Sequence, residues 1–233
     1  MTNTESLPIV IISCQVFQHL LEKHIPDNGA DSSITYLDYG LHLVPRNLKE
    51  AIQQKIDQIE QPSLVVLGYG LCGNGLDGIQ SRNNTLLIPR TDDCIAILLG
   101  TYQRYKKEFS TNPATYYLSK GWLESASNPL IQFKEYEEVY GNETATYLMD
   151  TQYKHYKRLV FVAHNLVDLE KYRPKAKEIA RYCERWGMEY EEIIGSDDYV
   201  RALMEAPFVM DRSGDDFLVI PPGAELKQSL FIR

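Results

Sequence analysis

Short, continuously apolar segments recur along this chain, and most of them are followed by a loop and then by a helical pattern. Apolar runs of roughly 4–8 residues are typical of parallel strands, because helices cover both faces of a parallel sheet. The predicted strands are residues 9–13, 34–39, 63–68, 85–89, 159–163, 190–194 and 217–220. The alternation predicts an α/β fold with a mainly parallel, Rossmann-like sheet flanked by helices.

Residues 111–157 interrupt this alternation, since they are rich in tyrosine and in charged residues. We interpret them as a helical, aromatic-rich insertion packed on an α/β core that comprises residues 1–110 and 158–233. Aromatic side chains at helical spacing are usually core residues, so we favour simple packing of the insertion onto the main sheet. A lid or a surface for a protein partner is the alternative.

Composition narrows the classes of function. The chain has 233 residues and a formal net charge of −8, and its Lys and Arg are interspersed with Asp and Glu. Nucleic-acid binders need clustered cations, so we expect no nucleic-acid partner. The N-terminal apolar run is too short for a secretion signal or a membrane span, which favours a cytoplasmic protein without a membrane partner. Cysteines of such a protein are expected to be free thiols, metal ligands or core residues and not disulfides.

Potential metal ligands follow four of the predicted strands. Cys14 follows PIVIIS, His42 lies in YGLHLVP, Cys72 lies in LGYGLCGNG and Cys94 ends IPRTDDC. Because the carboxyl ends of parallel strands share one edge of a sheet, these residues are expected to converge. Cysteine and histidine suit zinc or an iron–sulfur cluster. His164, which also follows a strand, is the substitute if His42 points away.

Cys94 has the richest local context, because Arg90, Asp92 and Asp93 precede it. One aspartate is expected to cap a helix that runs from residue 91 or 92 to about 109, and the other to orient a ligand or accept a proton. The helix dipole is expected to lower the pKa of the Cys94 thiol. Arg90 could bind an anionic group.

The remaining sequence signals are negative. Cys183 lies inside a predicted helix and is interpreted as packing. The cysteines have no CxxC spacing, so the metal hypothesis depends on convergence in three dimensions. No Walker A lysine and no GxSxG elbow are present, which makes ATP hydrolysis and serine hydrolase chemistry poor candidates.

The segments YGLHLVP, GYGLC, LIPRTDDC and YYLSKGW, with the cysteine after the first strand, resemble an uncharacterised domain-of-unknown-function family of bacteria and methanogenic archaea. Some members lie near corrinoid methyltransferase genes, which implies methyl or metallocofactor metabolism without identifying a reaction. The positions that match the family are Cys14, His42, Cys72, Arg90, Asp92, Asp93, Cys94, Lys120 and Trp122.

These observations predict a metal-dependent enzyme or a metallocofactor-handling protein. Cys14, Cys72, Cys94 and His42 would bind zinc or a cluster, Asp92 and Asp93 would assist Cys94, and Arg90, Lys120 and Trp122 would bind a small anionic substrate or cofactor. Two alternatives stay open: a non-catalytic metal or corrinoid-binding accessory protein, and a metal-free enzyme with Cys94 as its nucleophile.

Overall fold

The computed structural model describes residues 7–25, 33–125, 127–208 and 215–233. The chain divides into two compact units. The first unit comprises Met1–Ile97 and Asp198–Arg233, and the second comprises Leu98–Asp197.

Strands and helices alternate through most of the chain. The strands are β1 (Ile9–Cys14), β2 (Ser33–Leu37), β3 (Leu64–Gly68), β4 (Thr85–Pro89), β5 (Thr115–Ser119), β6 (Arg158–Ala163), β7 (Glu189–Ile194) and β8 (Phe217–Ile220). The helices are α1 (Gln18–Leu21), α2 (Pro45–Asp57), α3 (Ile95–Leu99), α4 (Tyr102–Thr111), α5 (Lys120–Glu124), α6 (Pro129–Tyr140), α7 (Asn142–Tyr153), α8 (Leu166–Cys183) and α9 (Asp198–Glu205). Short 3-10 helices occupy Gln15–Phe17, Tyr39–Leu43, Glu184–Trp186, Ala206–Phe208 and Gln228–Phe231.

The first unit contains a mostly parallel sheet with the strand order β2-β1-β3-β4-β8. Strands β1 to β4 are parallel to their neighbours, and β8 runs antiparallel to β4. All of β3 is buried, as a strand covered on both faces should be. The predicted α/β class with a mainly parallel, helix-flanked sheet is confirmed.

Helix α2 shows why this unit packs as it does. Its buried residues Leu48, Ile52 and Ile56 recur at helical spacing and form one apolar stripe. Pro45 occupies the first turn, where the missing N–H costs no hydrogen bond. Burial of each large apolar side chain contributes about 1.5–3 kcal/mol.

The second unit has a sheet of its own, with the parallel strand order β5-β6-β7. The sequence predicts that β6 and β7 belong to the main sheet, whereas they form a separate sheet with β5. Residues 111–157 are mainly helical, as predicted, but they also contain β5. Helices α5, α6 and α7 account for most of the remainder.

Aromatic side chains fill the core of the second unit. Tyr153 stacks on Trp186 with ring centroids 5.2 Å apart, and Tyr116 meets Tyr153 edge-on at 5.5 Å. Tyr153 and Trp186 are buried in a cluster with residues of β5, β6 and α8. The favoured interpretation of the aromatic residues as core residues therefore agrees with the structure, but they pack on the unit's own sheet. Tyr140 and Tyr147 are exposed exceptions.

The helix predicted from residue 91 or 92 to about 109 is two helices. Gly100 has a φ of +93°, which ends α3, and the Thr101 hydroxyl accepts a hydrogen bond from the Arg104 N–H at the start of α4.

Among the described residues, none of the helices combines the length and the hydrophobicity that a membrane span requires.

Candidate metal centre

The carboxyl ends of β1 to β4 share one edge of the first unit's sheet. Cys14 ends β1, Asp38 follows β2, Tyr69 follows β3 and Arg90 follows β4. From β1 the chain passes to β2 on one side and then to β3 on the other, so the strand order reverses between β1 and β3. Open α/β sheets bind ligands in the crevice at such a reversal.

The glycine-rich loop after β3 lies against the segment after β4. The main-chain N–H of Leu71 donates to the Thr91 carbonyl oxygen at 2.9 Å, and that of Cys72 donates to the Asp92 oxygen at 3.0 Å. A Cβ atom at Gly70 would lie 2.7 Å from the main-chain carbonyl of Asp93. Only glycine therefore permits this approach, which places Cys72 beside Cys94.

The sulfur atoms of Cys72 and Cys94 are 3.1 Å apart. This exceeds the roughly 2.05 Å of a disulfide, and both residues are free thiols. Two thiolates bound to tetrahedral zinc lie about 3.8 Å apart, given Zn–S bonds of about 2.3 Å. A slight increase in the distance between the two sulfur atoms would therefore let them bind one metal.

The backbone at Cys72 is strained. Cys72, Gly73 and Asn74 have φ values of 49°, 63° and 71°, all in the left-handed region. A cysteine there costs about 1–2 kcal/mol, and such strain concentrates at functional sites. The Gly75 N–H closes the turn by donating to the Cys72 carbonyl oxygen at 3.1 Å.

The pKa of the Cys94 thiol is raised, not lowered as the sequence predicts. Its hydrogen bond with Cys72 is the largest cause, followed by burial and by the charge of a Cys72 thiolate. The Gly70 N–H, which donates to the Cys94 sulfur, opposes this rise. Helix α3 has five residues and starts after Cys94, so its dipole does not outweigh a neighbouring thiol and burial.

Cys14 approaches the same pair from β1. It is buried, and burial followed by the charge of Cys94 raises the pKa of its thiol to about 12. The Val16 N–H donates to the Cys14 sulfur, and Asp38 adds a further repulsive charge. Cys14 and Cys72 thus each lie within electrostatic reach of Cys94. In residues 7–25, 33–125, 127–208 and 215–233, however, no group of three or more His, Cys, Asp or Glu side chains is already spaced to hold a metal ion.

Tyr69 and Asp38 belong to this edge of the sheet, although the sequence analysis did not select them. Tyr69 is 2% exposed, and within the described residues its hydroxyl has no hydrogen-bond partner. Burial raises its pKa, as do the charges of Cys14, Cys94, Cys72 and Asp38. An unpaired buried hydroxyl costs about 1–3 kcal/mol. The position of both residues directly after a strand was the signal that could have found them.

His42 lies in the 3-10 helix Tyr39–Leu43, which begins where the Asp38 carboxylate accepts a hydrogen bond from the Gly40 N–H at 2.7 Å. The His42 Nδ1 is hydrogen-bonded to the Tyr39 carbonyl oxygen. With Nδ1 as the donor, Nε2 is left as the atom for a metal. The structure gives no bond between His42 and the cysteines in the described residues, so its role as a ligand stays a prediction.

Arg90 has a different set of partners from the one predicted. Its Nε donates to the Leu230 carbonyl oxygen at 2.9 Å, and Nη2 donates to that of Ile232 at 2.6 Å. Arg233 donates in turn to the Arg90 carbonyl oxygen at 2.6 Å. These bonds tie the C-terminal segment to the end of β4, so the structure supports a structural role and lends no support to an anion site at Arg90.

The two aspartates before Cys94 have distinct roles. The Asp93 carboxylate accepts a hydrogen bond from the Ile95 N–H at 2.8 Å, which caps the start of α3 as expected for one of them. Asp92 contributes its carbonyl oxygen to the pairing with Cys72. The carboxylate of Asp93 also raises the pKa of the Cys94 thiol, because two like charges would be close together.

The other predicted site residues belong to the second unit. The Lys120 ammonium lies 3.4 Å from the Asp168 carboxylate, and the Trp122 N–H donates to the Ser119 hydroxyl. His164 Nε2 is bonded to the Leu98 carbonyl oxygen at 3.0 Å. These contacts lie within the second unit and stabilise its fold; substrate binding by Lys120 and Trp122 stays a prediction.

Comparisons with known proteins give a family but no relative of known activity. No curated protein and no solved structure matches the chain. A family model described as "Protein of unknown function (DUF1638)" matches residues 36–204, which include Cys72 and Cys94 and exclude Cys14. This match spans more than half of the sequence and parts of both units, and the chain therefore belongs to the DUF1638 family.

Proposed function

We propose that this protein binds a soft metal, as a zinc ion or an iron–sulfur cluster, through Cys14, Cys72 and Cys94. The observation that carries the proposal is the 3.1 Å separation of the Cys72 and Cys94 sulfur atoms. The two residues are distant in sequence, and a strained turn and a glycine contact hold them together. A merely structural pair of thiols would need neither feature.

The ligand chemistry supports the proposal. Thiolates favour zinc and iron–sulfur clusters over hard cations such as magnesium. Cys14 is the third donor, since its thiol is within electrostatic reach of Cys94 at the reversal of strand order. A metal cation would offset the mutual repulsion of three thiolates, which is otherwise unfavourable in a buried site.

Three protein ligands suit a working site better than a purely structural one. Structural zinc sites are closed by four protein ligands, whereas catalytic sites keep one position for water or substrate. A metal held here would supply Lewis acidity at that position. We therefore propose a metal-dependent enzyme or a metallocofactor-handling protein. A connection with methyl or corrinoid metabolism rests on the family resemblance alone and stays a prediction.

Metal-free nucleophilic catalysis by Cys94 is the weaker candidate. The nucleophile in such enzymes is a thiolate, which needs a lowered pKa or an adjacent base. The pKa of Cys94 is raised instead, by Cys72 and by burial. An accessory protein would share the metal site and differ only in lacking turnover.

Metal content of anaerobically purified protein tests the proposal. We expect about one zinc per chain in a colourless protein, or iron and sulfide in a brown one. Cys94→Ser and Cys72→Ser should lose most of this metal, because a hydroxyl is a poor ligand for a soft ion. Cys183→Ser is the matched control, since Cys183 is buried in the core of the second unit.

The outcome of this comparison is decisive for the site. Cys183→Ser should keep its metal and lose only about 1–3 kcal/mol of stability, from a buried hydroxyl without a partner. Full metal occupancy in both Cys72→Ser and Cys94→Ser would remove the proposed site.

A further inference from the structure

The Tyr69 hydroxyl is a buried polar group at the proposed metal centre with no bonding partner in the described residues. The side chain is 2% exposed, so bulk water does not reach most of it. Buried hydroxyls in native proteins mostly have a partner, and an exception beside candidate metal ligands is what a site for a ligand, water or ion would leave.

Two close contacts fix the backbone on either side of Tyr69. A Cβ atom at Gly68 would lie 2.2 Å from the Ser13 Oγ on β1, and one at Gly70 would lie 2.7 Å from the Asp93 carbonyl. The chain at Tyr69 is therefore held between β1 and the segment that carries Cys94. A residue fixed in this way presents its hydroxyl at a defined point, as a positioning group must.

The groups around the Tyr69 hydroxyl place it beside the proposed metal ligands. Cys14, Cys94, Cys72 and Asp38 all lie within electrostatic reach of the phenol. These include all three proposed metal ligands. A hydroxyl within electrostatic reach of the three proposed ligands would be suited to contact whatever takes the fourth position of a tetrahedral metal.

We propose that Tyr69 donates a hydrogen bond to the non-protein ligand of this metal. The inference rests on the proposed function. It assigns a binding role to Tyr69, and it specifies the ligand atom: one that keeps a lone pair after it binds the metal.

Charge restricts the ligand further. Asp38 and Asp93 are close to the thiols, and the Arg90 guanidinium is bonded to carbonyl groups of the C-terminal segment. A large anion such as phosphate would meet these carboxylates, and the charges that act most strongly on Cys14 and Tyr69 in the described residues are all negative. The site therefore suits a small thiol or alcohol that is neutral in solution. On binding, its sulfur or oxygen forms a bond to the metal and its proton passes to solvent.

Cobalt-loaded protein provides the test. The intact chain is loaded with Co(II), whose absorption bands report both thiolate ligation and the fourth ligand, and is titrated anaerobically with 2-mercaptoethanol and with imidazole. The sulfur of 2-mercaptoethanol can accept a hydrogen bond while it is bound. The nitrogen of imidazole that binds metal has no second lone pair, so its affinity serves as an internal control.

Tyr69→Phe should weaken 2-mercaptoethanol binding about tenfold, since a hydrogen bond to a charged acceptor is lost, and should leave imidazole binding unchanged. Tyr36→Phe is the matched control, because the Tyr36 hydroxyl is also buried without a partner in the described residues. Tyr36 lies on β2, and its pKa is raised by burial and by the charge of Glu22, not by that of a cysteine. The Tyr36→Phe substitution should change neither affinity.

Replacement of Tyr69 by 3-fluorotyrosine guards against a variant that fails to fold. Its more acidic hydroxyl should tighten 2-mercaptoethanol binding, which a packing role for the ring would not do. Equal affinities in the wild type, Tyr69→Phe and the fluorinated protein would overturn the inference. Absence of cobalt–thiolate bands in the wild type would instead overturn the proposed function, so the two failures are distinguishable.

Discussion

The first unit has a mostly parallel sheet and the second a parallel one, yet the polar groups at the carboxyl ends of their parallel strands differ. In the first unit, three thiols and a buried phenol converge, and the phenol has no partner in the described part of the chain. In the second, Lys120 pairs with Asp168 and His164 is bonded to Leu98. An unpartnered hydroxyl is not by itself a site, since the Tyr36 and Tyr182 hydroxyls also lack a partner in the described residues, but one beside Cys72 and Cys94 points to a ligand.

Helix α8 illustrates the self-contained chemistry of the second unit. The Asn165 side chain accepts a hydrogen bond from the Asp168 N–H at 2.7 Å and donates one to the Asp168 carboxylate at 2.8 Å. The Lys120 ammonium also lies 5.9 Å from the centre of the Tyr172 ring. The residues that resemble site residues here are therefore used for capping and packing.

Trp186→Ala should have the largest effect on stability and none on the metal. It removes a ring that stacks on Tyr153 and the indole N–H that donates to Asp150 at 2.7 Å. We expect a loss of about 3–5 kcal/mol from the free energy of unfolding. Chemical denaturation measures this loss, and metal analysis of the folded fraction should match the wild type. Tyr147→Ala is the control, since that ring is exposed and its loss should change stability by less than about 0.5 kcal/mol.

Zinc should raise the free energy of unfolding, because it is expected to bind the cysteines of the first unit. At a free concentration about 100 times the dissociation constant, a ligand of the native state adds about 2.7 kcal/mol. Hydrogen exchange with and without zinc should place the added protection around β1, β3 and β4. Equal stabilisation of Cys72→Ser by zinc would show that the metal binds elsewhere.

Gly70→Ala should damage the site through the backbone. The added methyl group would lie 2.7 Å from the Asp93 carbonyl, so we expect a loss of about 1–3 kcal/mol together with reduced metal content. Gly187→Ala is the control in the second unit, because its φ of +78° imposes backbone strain but a Cβ atom there meets nothing within 4 Å. Normal metal content in Gly70→Ala would contradict the role assigned to this contact.

Lys120→Met should have the smallest effect. The ion pair with Asp168 is partly exposed, and Asp168 keeps its bonds to Asn165, so the loss should be about 1 kcal/mol or less. Thermal unfolding measures it. Metal content should be unchanged, and the affinity of cobalt-loaded protein for 2-mercaptoethanol should be unchanged too. A large loss of ligand affinity would restore the predicted substrate-binding role of Lys120.

The proximity of Cys72 and Cys94 was predictable from strand direction, whereas their convergence with Cys14 and His42 on one metal stays a prediction. Cys14, Cys72 and Cys94 each follow a predicted strand, and parallel strands share an edge. The division into two sheets was not predictable in this way, because the apolar runs of β4 and β6 look alike and nothing in them specifies their neighbours. Strand β5 was missed because TYYLS lies in an aromatic stretch that also suits a helix.

Features that depend on neighbouring residues in the sequence were predictable, and features that depend on distant residues were not. Gly100 followed by Thr101 is a helix stop and a helix cap, and this pair divides the predicted helix in two. The raised pKa of Cys94 depends on Cys72, which is 22 residues away, and so could not be read from the flanking sequence. The same holds for the unpaired hydroxyl of Tyr69, which becomes apparent only when the surrounding atoms are placed.

X-ray absorption at the edge of the metal that copurifies with the protein tests the central claim most directly. The account predicts sulfur neighbours at about 2.3 Å, three in number if a single zinc is bound, with one further ligand. Sulfur scattering should fall in Cys94→Ser and stay unchanged in Cys183→Ser. A first shell of oxygen and nitrogen alone would contradict a thiolate site at Cys14, Cys72 and Cys94.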